Sequence, residues 1–331
     1  MPTSCMDPQV EAERTLDHGS VRALSALSNL HGVADVVFAW GLIVAAAVTA
    51  NAVNRWYIYL LAMVVIGSRQ NALGTLAHEA WHCLTFSSRK VNHWVGAWLY
   101  SYPIGIPYYH DRQRHLRHHR EVGYDYDPDW VNYSNENRES PWRVLRYLAS
   151  LLLGALLFST LVNLVTRGQP RISLTSDKNP SETPGMLGEL GRSVLCQAIL
   201  FSAATFAFHW WTYFLLWLLP LATFAGFFAN FRSFVEHVAT SDDVTPEERL
   251  RDIDASAAAR FFLAPSHFNY HALHHAHPSI PHYNLPEGKR LYIEQMGSYP
   301  FTVWPGYVTA LLSHLRDIRE RSSTSSGGTS E

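Results

Sequence analysis

His115-Leu-Arg-His-His119 places three imidazoles at i, i+3 and i+4, and the acidic run Asp125-Tyr-Asp-Pro-Asp129 follows closely. On a helix this spacing sets all three rings on one face, within reach of a common metal ion. The pattern returns at His271-Ala-Leu-His-His275 and, in thinner form, at His78-Glu-Ala-Trp-His82. With His237 in the phrase Asn230-Phe-Arg-Ser-Phe-Val-Glu-His237, the candidate ligands are His78, His82, His115, His118, His119, His237, His271, His274 and His275. One ion cannot use so many nitrogens, whereas two ions at about four to five each can. Imidazole suits iron, copper and zinc alike, so the ligand type alone does not name the metal.

What separates the boxes decides the fold. Val36–Asn54 is uncharged between Asp35 and Arg55, about the length that crosses ~30 Å of hydrocarbon. Trp56–Ser68 is uncharged as well, and helical character can continue through Arg69–Ala77 into His78–His82. That helix would extend about 40 Å, longer than the bilayer core, so the first box rides on its protruding end. Asn51–Arg55 makes the two runs a membrane hairpin. Ser193–Phe231 carries no Asp, Glu, Lys or Arg and reads as two further spans joined near His209–Thr212. Trp94–Pro107 is apolar but too short to cross and is broken by Pro103 and Pro107, so it reads as re-entrant or interfacial.

Tyr147–Thr166 is also uncharged. Counting it as a crossing would put His237 and His271–His275 on the opposite face from His78–His119, so it is expected to lie in the interface. The fold class is therefore all-α integral membrane, with four transmembrane helices, a histidine-rich cap and one or two interfacial or re-entrant helices. Arg89, Lys90, Arg112, Arg114, Arg117, Arg120, Arg138 and Arg143 fall on the histidine side, against Arg55 in the outer turns. The positive-inside rule makes that side the cytosol, with both termini there. The expected boundaries are an N-terminal cytosolic segment 1–33, a membrane domain 34–321 and a disordered tail 322–331, rich in Ser, Thr and Gly.

Composition agrees. Of 331 residues, 47% are apolar and only 16% charged, and 18 are histidine. A net charge of −2 gives no reason to expect nucleic acid. The three cysteines are far apart without CxxC spacing, which implies neither a disulfide framework nor a thiolate metal site. No signal peptide is visible. The polar stretch Pro246–Arg260 reads as helix-like, and sheet signals are almost absent.

Other histidines have plainer readings. His93, His209, His282 and His314 are isolated and read as hydrogen-bonded structural residues. His110, His267 and His277 flank the boxes and read as groups that orient ligands or carboxylates, whereas Asp125, Asp127 and Asp129 read equally as acceptors for ligand N–H groups or as a solvated loop. Trp210, Trp211 and Trp217 read as interface belt or core. Taken alone, His78-Glu79-Ala-Trp-His82 matches the HExxH signature of zinc proteases, with Glu79 as general base. A membrane metalloprotease is therefore the competing enzyme class, and a non-catalytic lipid-binding protein stands third.

Three boxes in this order, with membrane runs between them, resemble the membrane fatty acid desaturase/hydroxylase superfamily of histidine-box diiron proteins. The likeness covers roughly Ala77–Pro286. It includes Asn92-His-Trp-Val-Gly-Ala-Trp98, Asp127-Pro-Asp129, Arg232–His237, and Asn269–His275 with Pro278–Pro286, in the manner of the bacterial desaturase-like branch. The resemblance implies two iron ions, O2 as co-substrate, and hydrogen abstraction from an unactivated position of a fatty acyl or other lipid chain. It gives His237 as the extra ligand. Hydroxylation or N-oxygenation of a lipid or of an amino-acid-derived metabolite is the alternative outcome. Without a GxGxxG after a strand, a four-cysteine cluster or a haem motif, electrons are expected from a separate ferredoxin-, rubredoxin- or cytochrome-type donor with its reductase. A bacterial inner membrane is the expected location. In acyl-CoA desaturases of this kind an Asn four residues before the lone histidine holds a water on iron; here that position is Ser233.

Overall fold

The computed structural model describes residues 16–122, 124, 126–129, 140–155, 158, 159, 162, 185–237 and 250–325. Four helices among them are long and apolar enough to cross a membrane: α2 (Asn29–Val53), α3 (Trp56–Trp81), α7 (Met186–Ala207) and α8 (Trp210–Glu236). Ser28 caps the start of α2, and Asn54 ends it in the left-handed region at φ 49°, a conformation Asn tolerates better than most side chains. Only Asn54 and Arg55 separate α2 from α3, so the first pair is the expected hairpin. Phe208 and His209 make the second turn, between α7 and α8.

α3 is the post of the molecule. Its first turns expose Trp56, Tyr57, Leu60 and Leu61, an apolar surface suited to lipid. From Ile66 to Trp81 almost every residue is buried, on all sides of the helix, which marks a central rather than a peripheral element. α8 comes closest where Gly67 faces Phe224 and Ala225. A Cβ on Gly67 would sit 2.5 Å from the Phe224 Cβ, so only glycine lets the two backbones meet. Two π-helical turns, Phe214–Leu218 and Leu221–Ala225, bend α8 along this contact.

α4 (Arg89–Val95) runs on through a π-helical stretch, Gly96–Ser101, and a 3-10 turn, Tyr102–Ile104. Gly96, Ala97, Tyr100, Ser101, Tyr102 and Pro103 are buried, and this bent segment lies along α3. It is the element expected at Trp94–Pro107. α5 (Tyr108–Glu121) carries the second box, and α6 (Pro141–Leu152) follows. At 12 residues α6 is roughly 18 Å long, too short to cross. It buries Val144, Leu148 and Leu151 and exposes Trp142, Leu145 and Leu152, the two-sided apolarity of a helix lying in an interface. Most of the rest of Tyr147–Thr166 lies outside the described residues.

The remaining elements form the cap: α1 (His18–Leu24), α9 (Ala257–Phe262), α10 (His271–Ala276), α11 (Leu285–Met296) and α12 (Tyr307–Ser325). The helix-like reading of Pro246–Arg260 needs correction. Residues 246–249 lie outside the described set, and Asp252–Ile253 is a strand, β1, paired in parallel with β2, Val303–Trp304. Helix starts only at Ala257, where Ser256 caps α9 through the Ala259 N–H. The tail 326–331 also lies outside the described residues.

Candidate metal centre

The first box ends α3, and its position is set by the orphan carbonyls of that helix end. The Ala80 carbonyl accepts from Asn92 Nδ2 at 2.8 Å and from the Tyr108 hydroxyl at 2.9 Å. The Trp81 carbonyl accepts from Arg112 Nε at 2.8 Å. Asn92 is fully buried, and its Oδ1 accepts the Thr85 N–H at 3.0 Å. Cys83, at φ 62°, turns the chain away directly after His82. Two elements, the helices Arg89–Val95 and Tyr108–Glu121, thus hold the helix end that presents His78 and His82.

The second box rides on α5, whose first turn is capped from another helix. Glu189 of α7, fully buried, accepts from the Tyr109 N–H at 2.8 Å, the His110 N–H at 3.4 Å and the Tyr102 hydroxyl at 2.6 Å. A carboxylate at a helix N-terminus meets both the unpaired amides and the positive end of the macrodipole. The third box lies on α10, only six residues long, below the length that holds itself in water. Asp252 Oδ1 accepts from the Ala272 N–H at 2.8 Å and the Leu273 N–H at 3.3 Å, and Oδ2 accepts from the Tyr299 hydroxyl. Burial pushes the Asp252 carboxyl up to about 6, against the pull of these hydrogen bonds. His237 follows directly on α8 and hydrogen-bonds through Nδ1 to the Ser233 carbonyl at 2.9 Å.

All nine box histidines come together. His78, His82, His115, His119 and His274 each offer a ring nitrogen, all within 4.8 Å of one another, and so do His118, His237 and His275. His271 joins the second group, its Nε2 2.9 Å from that of His237. His119 and His275 stack at 4.0 Å between centroids and join the two groups. Both nitrogens of His78, His274 and His275 are buried without a hydrogen-bond partner, as is Nε2 of His119. Buried polar atoms in folded proteins are nearly always paired, so these nitrogens fit a metal that takes their lone pairs. Burial pushes His82 down to about 4 and His237 to about 3, and holds His115, His271, His274 and His275 well below the usual imidazole range. These rings are therefore neutral at pH 7, the form that binds metal.

Asp127 serves the cluster directly. His118 Nδ1 donates to Asp127 at 2.8 Å, which leaves Nε2 directed at the second group. Asp129 pairs instead with Arg114, and Asp125 lies outside the described residues. The three flanking histidines meet partners away from the boxes: His110 faces Glu189 at 3.6 Å, His277 Nε2 meets the Tyr292 hydroxyl at 2.6 Å, and His267 lies beside His282. His93 bonds the Tyr108 hydroxyl at 2.9 Å, and His209 stacks on Trp211. His314 packs against Phe234. His282 bonds Asp35 through Nε2 at 2.9 Å, and its N–H donates to Glu79 Oε2 at 2.9 Å. Glu189 and Asp252 escaped the sequence reading because each caps a helix far away in the chain.

The comparisons agree with this geometry. The family model for fatty acid desaturase matches residues 54–307. The chain is 25% identical over 260 residues to the dihydrorhizobitoxine desaturase of Bradyrhizobium elkanii, covering 77% of this chain and 73% of that one. It is 24% identical over 287 residues to the sn-1 acyl-lipid omega-3 desaturase (ferredoxin) of a Synechocystis species, covering 78% and 74%. A shorter stretch of 110 residues, 32% of this chain and 29% of the other, is 32% identical to the endoplasmic reticulum omega-3 fatty acid desaturase of Vigna radiata. The match takes in the boxes and the helices that carry them, and the chain belongs to the fatty acid desaturase family of membrane oxidoreductases.

Proposed function

We propose that the nine histidines hold two iron ions and that the protein desaturates an acyl or acyl-like chain, with O2 as co-substrate. The observation that carries this reading is the gathering of the box nitrogens into two adjoining groups, with buried nitrogens that lack any other partner. His78, His82, His115, His119 and His274 would hold one ion, and His118, His237, His271 and His275 the other. Two irons there would supply the oxidation that takes one hydrogen from each of two adjacent carbons, O2 being reduced to water with two further electrons from the donor. The chain's own residues prepare the site. Asp127 keeps the proton of His118 on Nδ1, and the Ser233 carbonyl does the same for His237. Phe268 covers His78 at 4.6 Å and packs against His271 at 5.5 Å, excluding water from that side.

Both longer relatives are named desaturases, one for dihydrorhizobitoxine and one for an acyl lipid, which favours removal of two hydrogens over hydroxylation. One is named with ferredoxin, in keeping with a separate electron donor here. The positive charges on the histidine side support a reading in which that face and both termini lie in the cytosol, and the bacterial relatives favour an inner membrane. Against the protease reading, Glu79 turns its Oε2 to the His282 N–H, and two further boxes share its site.

The test is iron-loaded full-length protein with a reductase system and mass spectrometry of its products. Loss of two hydrogens from an acyl substrate is expected, with about two irons per chain. Gain of one oxygen atom would make the protein a hydroxylase. One zinc without iron, with activity abolished by Glu79→Ala but intact in His118→Ala, would refute the reading outright.

A further inference from the structure

Beside the histidine cluster lies a second polar site, a cavity of about 340 Å³ between α2, α3, α9 and the loop 264–267. Phe38, Ala72 and Leu76 give it an apolar side, while Arg69, Arg260 and His267 give it a basic one. Arg69 sits within a membrane span and is 2% exposed. A buried guanidinium in a span is costly and marks a functional site more often than a structural one. Its Nη2 donates to the Phe261 carbonyl and to Ser68 Oγ, and its plane lies over the Phe261 ring at 4.0 Å. Its Nε has no partner, and no carboxylate among the described residues forms an ion pair with it. Asp35, on the same wall, is engaged by His282.

Two further atoms wait in the same place. His267 Nδ1 and His282 Nδ1 are buried without a partner. Ser266 and His267 both sit at positive φ, 56° and 51°, a strained loop that brings His267 to the cavity wall. Arg260 is exposed at the rim. Among the described residues no carboxylate pairs with Arg69 at the floor or with Arg260 at the mouth, and Asp35 pairs with His282 instead. A planar guanidinium with a free Nε edge fits a carboxylate. The volume lies at the lower end of the ~300–1,000 Å³ usual for small-molecule sites. The chain leads from this cavity directly to the metal centre. Leu76 lies two residues before His78 on α3, and Phe268, next to His267, packs on the His78 ring at 4.6 Å.

We propose that this cavity binds the carboxylate end of a free amphipathic acid, which is the substrate, with its apolar remainder directed along α3 toward the histidines. The assignment rests on the oxidase reading for the word substrate, and on the cavity alone for the ligand.

Full-length, iron-loaded protein in neutral detergent would be titrated calorimetrically with octanoate, methyl octanoate and octyl phosphate. Octanoate is expected to bind at least tenfold more tightly than its ester. Arg69→Gln and Arg260→Gln should each remove most of that preference and leave the ester's affinity unchanged. Should Arg69→Gln fail to fold, the exposed Arg260 decides. In turnover, Arg260→Gln should raise KM for the acid at least tenfold with kcat unchanged. Equal affinity for acid and ester, or a preference that survives Arg260→Gln, overturns the assignment. Tighter binding of octyl phosphate also overturns it and gives the cavity to a phosphorylated headgroup. A protein that binds octanoate with this preference but oxidises nothing refutes the oxidase reading and leaves the carboxylate site standing.

Discussion

Removing the carboxylate of Glu189 tests whether a membrane helix sets the second box. Glu189→Gln keeps an oxygen for the Tyr109 and His110 amides and lets the Tyr102 hydroxyl turn to accept. It removes the charge, which meets a helix N-terminus in a buried place. The loss should be about 1–2 kcal/mol. Glu189→Leu instead strands two amides and one hydroxyl at ~1–3 kcal/mol each. The His110 bond is long at 3.4 Å and counts at the low end, so the total is roughly 3–7 kcal/mol. Unfolding in mixed micelles, followed by tryptophan fluorescence, measures both variants against the parent, with iron per chain as a second readout. The Leu variant should lose iron while the Gln variant retains it. If Leu costs no more than Gln, or both cost under ~0.5 kcal/mol, the carboxylate does not order α5 and the capping argument fails.

Asp127→Ala should weaken metal binding ~10–100-fold by freeing the His118 ring, as read by competition with a chelator; unchanged affinity would mean that His118 is oriented by something else. Asp252 gives a pH signature. Its carboxyl is raised to about 6, so between its ordinary value and that point the folded state holds a proton that the unfolded state has lost. Stability should therefore be greatest at low pH and fall by roughly 3 kcal/mol as pH rises through 6. Asp252→Asn keeps Oδ1 for the α10 amides and should flatten that slope, and unfolding curves of equal slope for parent and variant would contradict it. A Cβ on Gly96 would lie 2.6 Å from both the Ala80 Cβ and the Tyr108 ring. Gly96→Val should thus cost about 1–3 kcal/mol or more, whereas Gly41→Ala, with open space around it, should be neutral or stabilising in the same thermal melt.

The spans and the histidines were legible because both are local patterns. An uncharged run of membrane length and an i, i+3, i+4 triplet each lie within one stretch of chain. The parity argument is local in the same way: His78 and His237 can share a site only if an even number of crossings separates them, and among the described residues α7 and α8 supply two. Pro246–Arg260 misled because its charges suggested a solvated helix, while Asp252 is buried and its neighbour Ile253 pairs with Trp304, far along the chain. Isolated carboxylates carry no periodicity, so nothing in the sequence separates Glu189 or Asp252 from a surface acid. His267 and His277 looked like ligand supports by adjacency alone, yet adjacency in sequence does not fix where a ring points after a turn.

The site is held by its helix ends. α10 is too short to persist alone, α5 starts at a proline turn, and α3 stops two residues before a positive-φ cysteine. Each terminus is fixed by a buried group from another part of the chain: Asp252 for α10, Glu189 for α5, Asn92 with Tyr108 and Arg112 for α3. A metal could not order these pieces cheaply if they were loose, because each ordered residue costs about 1–2 kcal/mol of backbone entropy. Pre-setting the termini moves that cost to folding. The imidazoles then stand ready as donors, and metal binding is left to exchange protein-buried lone pairs for coordination bonds. On this argument, loosening one cap should harm metal retention before it harms the membrane bundle, because the spans α2 and α7 contribute no box histidine.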